Sequence, residues 1–68
     1  MLFGPDEIAQ RIQYRHRPGW LVWYGRATKQ YWALASWVHG SQAMLGAPAP
    51  EVIDRAMTTC ETIYPKYG

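Results

Sequence analysis

The side chains of this chain that could act on a substrate are few. They are one cysteine, Cys60, two histidines, His16 and His39, and five carboxylates, Asp6, Glu7, Glu51, Asp54 and Glu61. Nucleophilic catalysis needs a base beside the nucleophile and a third group that orients the base. Cys60 falls on what reads as the apolar stripe of a helix, with no positive neighbour in sequence and no helix N-terminus close by. That is the setting of an inert thiol behaving as a small hydrophobe. Each histidine stands at the end of an element beside a turn, and no second Cys or His lies within five residues of either histidine or of Cys60, so no zinc spacing is formed. The carboxylates fit helix N-terminal charges or exposed helix positions better than a catalytic pair. The six glycines are scattered singly among turns and make no phosphate-cradling loop. The pattern points away from an enzyme and implies no cofactor and no metal.

The elements that would position these residues follow from punctuation and periodicity. Residues 5–16 read as a helix: Pro5 suits the first helical position, Asp6 and Glu7 meet the positive end of the dipole, and Arg11, Arg15 and His16 fall toward the other end. With Gly4 as N-cap, Phe3 and Ile8 take the two positions of a hydrophobic staple. The apolar stripe is narrow, Ile8, Ala9 and Ile12, so this helix must lean on something else. Arg17-Pro18-Gly19 stops it. Trp20 to Trp37 holds all four tryptophans and reads as a β-hairpin turning at Ala27-Thr28. Its register sets Tyr24 opposite Tyr31, Trp23 opposite Trp32 and Leu21 opposite Leu34. Val38 to Ser41 is a second turn, and Gln42 to Leu45 a short antiparallel edge strand. Ala47-Pro48-Ala49-Pro50 is a rigid connector. From Pro50 to Ile63, Val52, Ile53, Ala56, Met57, Cys60, Ile63 and Tyr64 recur at helical spacing, and Pro65 closes the helix.

The expected fold is α+β: an N-terminal helix, a three-stranded antiparallel sheet made of the aromatic hairpin and a short edge strand, and a C-terminal helix packed on one sheet face. Residues 1–68 form one domain. A core this small supplies only about 3–5 kcal/mol, and large aromatics or association with another chain would offset that. A single cysteine excludes an internal disulfide. The N-terminus lacks the features of a signal peptide, and no run of 18 apolar residues exists to span a membrane. A cytoplasmic location is the resulting expectation. The net charge of +2 permits contact with nucleic acid without demanding it.

Pro18-Gly19-Trp20-Leu21-Val22-Trp23, then Tyr31-Trp32-Ala33-Leu34, then Ala49-Pro50-Glu51 opening an apolar helix resemble a loose group of small uncharacterised actinobacterial proteins. Those proteins look like a Pro-Gly-Trp strand, a Tyr/Trp-Ala strand and a C-terminal helix. The resemblance runs from Pro18 to Ile63, consists of structural residues, and implies a fold without implying an activity.

Strand alternation sorts the hairpin into two apolar faces. Leu21, Trp23, Trp32 and Leu34 form one, which the broad C-terminal helix is expected to close. Trp20, Val22, Tyr24, Tyr31, Ala33, Ala35 and Trp37 form the other, left as an exposed interface because the first helix is too narrow to cover it. The expected function is therefore a non-catalytic interaction or regulatory module, self-associating or binding a larger protein partner. The alternative is a nucleic-acid-binding domain, stacking bases on Tyr24 and Tyr31 beside Arg26 and Lys29, with Arg11, Arg15 and Arg17 as a second basic cluster. On this assignment Trp23→Ala unfolds the protein and Tyr31→Ala does not.

Overall fold

The computed structural model describes residues 3–66. Helix α1 spans Pro5–Arg15, strand β1 Trp20–Gly25, strand β2 Gln30–Ala35, a 3-10 turn Ser41–Ala43, strand β3 Met44–Ala47 and helix α2 Pro50–Ile63. The sheet is antiparallel in the order β1-β2-β3, so the α+β architecture has the two helices and three strands that its sequence pattern implies.

Local chemistry explains the boundaries. Gly4 is the N-cap of α1, its carbonyl accepting from the Ile8 N–H and its own N–H donating to Glu7. Ala49 caps α2 in extended conformation, as a residue before proline must, and Pro50 fills the first helical position. The hairpin loop is four residues long, with Lys29 in the left-handed region at φ 56° and its N–H donating to the Gly25 carbonyl at 2.7 Å. The third strand lies two residues later than its expected position. Ser41-Gln42-Ala43 forms a 3-10 turn entered through Gly40 at φ 83°, and the strand starts only at Met44.

The pairing register is the expected one, with Leu21 opposite Leu34, Trp23 opposite Trp32 and Tyr24 opposite Tyr31; Ala33 pairs with Leu45 and Leu34 with Met44 on the other side. The layering is not. Both helices lie on the same side of the sheet, α1 over β1 and α2 over β2 and β3, and together they close one core. That core holds Ala9 and Ile12 from α1 and Ile53, Met57 and Cys60 from α2. The sheet gives it Trp20, Val22, Tyr31, Ala33, Ala35 and Ala47. The two helices share one face, and among the described residues no helix covers the other.

Candidate functional site

This layering reverses the two hairpin faces. Trp20, Val22, Tyr31, Ala33 and Ala35, expected at an exposed interface, are buried, and Tyr24 and Trp37 are half-buried against the same core. Leu21, expected in the core, is 54 % exposed. The physical reason lies in Ala33, Ala35 and Ala47. Small side chains at the centre of a sheet face let a helix backbone come close, and here those on β2 and β3 receive α2 instead of a partner's chain. Trp20 and Tyr31 fill the ends of the interlayer space.

The basic residues expected to contact nucleic acid do not converge on an aromatic platform. Tyr31 is 5 % exposed and meets Tyr24 edge-on at 4.9 Å, both within the interlayer space. Arg26 is paired with Asp6 and Arg15 with Asp54. The Arg17 guanidinium covers the Tyr14 ring at 3.7 Å and Arg11 covers Phe3 at 4.0 Å. Lys29 stands exposed on the hairpin loop.

One histidine and two carboxylates gather at one corner, where the end of α1, the start of β1 and the Asp54–Glu61 side of α2 meet. His16 ends α1 with 11 % of its side chain exposed, its Nδ1 3.1 Å from Glu61 Oε2 and its Nε2 hydrogen-bonded to Asp54, so both ring nitrogens are engaged by carboxylates. Glu61 Oε2 also accepts from Trp20 Nε1 at 2.8 Å and is met by Lys66 Nζ at 3.1 Å. Lys66 donates in addition to the His16 carbonyl. The His16 hydrogen bond, helped by Arg15, holds the Asp54 carboxyl below its ordinary range against the opposing effect of burial. Burial pushes Glu61 up, but the hydrogen bonds from Trp20, Lys66 and His16 outweigh it and leave its carboxyl below the ordinary range. A base clamped on both nitrogens has no lone pair to offer a substrate. Cys60, the only nucleophilic thiol, is buried, and burial, with the nearby Glu61 charge, raises its pKa. Among the described residues, no group of three or more His, Cys, Asp or Glu side chains is arranged to hold a metal ion. The corner ties two helices to a strand. Sequence reading missed it, because the partners of His16 lie 38 and 45 residues away.

Among the described residues, two apolar surfaces remain uncovered. The first is the outer face of the sheet, carrying Leu21, Trp23, Trp32, Leu34 and Met44. Leu21 and Met44 are exposed, and Trp23, Trp32 and Leu34 half-exposed. Trp32 lies flat across it. A Cβ on Gly46 of β3 would come within 2.6 Å of one end of the indole, and a Cβ on Gly25 of β1 within 2.8 Å of the other. Its Nε1 donates to the Thr28 hydroxyl at 3.0 Å. Among the described residues, none of the strand positions on this face is charged. The second is a groove of about 390 Å³ between β3 and α2, whose lining includes Leu45, Val52, Arg55, Ala56, Thr59 and Ile63.

No family model, curated protein or solved structure matches the chain, so its own geometry carries the functional reading. No helix among the described residues is long and apolar enough to cross a membrane.

Proposed function

We propose that this protein is a non-catalytic interaction module whose contact surface for a protein partner is the outer face of the sheet. The observation that carries this reading is the uncovered row of Leu21, Trp23, Trp32, Leu34 and Met44 across all three strands. Contiguous apolar patches on small chains mark contact sites, and buried tryptophans dominate the binding energy of such contacts. The two glycines under Trp32 keep the surface flat, which suits an extended contact better than a small-molecule pocket. The absence of charge on this face favours protein over nucleic acid, which would need cations beside the aromatic rings to meet phosphates. A cytoplasmic site of action belongs to the same proposal.

Site-specific photo-crosslinking in cells that make the protein tests it. A benzophenone side chain in place of Leu21 or Leu34 is expected to give discrete protein adducts. The same group in place of Thr58, on the solvent side of α2, is not. Adducts no stronger than at Thr58, or adducts with nucleic acid, would overturn the reading.

A further inference from the structure

We infer that a second copy of this chain pairs with the free edge of β3, placing its own α2 in the groove beside the first. The two edges of the sheet are treated differently. At β1, Gln13 of α1 reaches over and accepts the Val22 N–H at 2.7 Å, occupying the donor at the middle of that edge. At β3, Leu45, Gly46 and Ala47 make no backbone hydrogen bond outside the sheet among the described residues. An unblocked edge strand is a template for another strand.

Symmetry fixes how a copy can use it. A two-fold axis that brings two β3 edges together antiparallel must stand normal to the sheet, so both inner faces point the same way. Directly opposed residues then share a face. The permitted registers set Leu45 against its own counterpart, or Gly46 against its own. Both bring the two α2 helices onto one side. Because α2 packs on both β2 and β3, and neighbouring strands lie about 4.8 Å apart, edge pairing brings the two α2 helices side by side on one face of the joined sheet.

The groove wall matches that occupant. Val52, Ala56, Thr59 and Ile63 follow one another at spacings of four, three and four, a stripe for packing against a helix. Val52 is 43 % and Ile63 62 % exposed. In the antiparallel arrangement Val52 faces Ile63 of the second copy, while the smaller Ala56 and Thr59 meet near the axis and permit close approach. An isolated peptide strand would satisfy the edge but leave this helical stripe in water. The pairing leaves the outer face open and joins two such faces in one six-stranded sheet, so it is independent of the outer-face reading.

Sedimentation of the full-length chain from 1 µM to 1 mM, with amide exchange, tests the inference. The contact is short, so a dissociation constant on the order of 10 µM is expected, with the alternate β3 amides that point to the free edge exchanging more slowly as dimer forms. Ile63→Glu and Val52→Lys, both at exposed positions, should each weaken the dimer about tenfold or more and release those amides. Leu21→Lys should leave the dimer unchanged. A protein still monomeric at about 1 mM overturns the inference, as does a dimer indifferent to Ile63→Glu and Val52→Lys. A dimer broken by Leu21→Lys alone would overturn it while supporting the outer-face reading.

Discussion

Trp32 lies on the outer face between Gly25 and Gly46, and the space above those two glycines is what keeps its ring flat. In Gly46→Val the indole must lift and its bond to Thr28 must break. Near-UV circular dichroism should lose aromatic intensity, and stability should fall by about 1 kcal/mol, a small overpacking cost because the ring can move into solvent. The burial pattern also reverses the mutational expectation drawn from the sequence. Tyr31 is a core residue, so Tyr31→Ala should cost about 3–5 kcal/mol, as large aromatic truncations do. That equals the whole stability expected of a core this size, and urea titration should find the variant unfolded. Trp23→Ala loses one cross-strand pair, worth about 1 kcal/mol at most, and should remain folded. The alternation that places these residues on opposite faces was legible in the sequence. Which face is the core was not, since both are apolar. The informative residues were Ala33 and Ala35, whose small size suits the close approach of the protein's own helices as well as that of a partner.

At the scale of elements, α1 buries only Ala9 and Ile12 fully, and its far end is held by the His16 corner. The helix limits were legible because prolines mark them, Pro5 and Pro50 at the starts and Pro65 just past the last end. The corner was not legible, because nothing local announces a histidine whose partners come from another helix. Its carboxylates predict an acid limit. Asp54 and Glu61 both have depressed folded-state pKa values. Their contribution is therefore fully present above the unfolded carboxylate value, about 4, and is lost as pH falls through the lower folded values. Urea unfolding between pH 7 and pH 2 should show stability dropping below about pH 4. Glu61→Gln should be less stable at pH 7 and show a shallower acid decline. An unchanged decline in this variant would mean that the acid sensitivity arises elsewhere.

For the whole molecule, two helices on one side of a three-stranded sheet make a two-layer body only 15 Å through its thinnest dimension of Cα positions. Both helices of the described residues lie on one side of the sheet, and that placement is what leaves an apolar surface available for association. The functional account depends on which face is left open. Leu21 and Val22 are neighbours on β1 with opposite fates, 54 % and 5 % exposed, and they allow the most direct test. In a Cys60→Ala background, Leu21→Cys and Val22→Cys are labelled with a thiol reagent under native conditions. Leu21→Cys should react at the rate of an exposed thiol, while Val22→Cys should react only through unfolding. Fast labelling of Val22→Cys with protection of Leu21→Cys would contradict this.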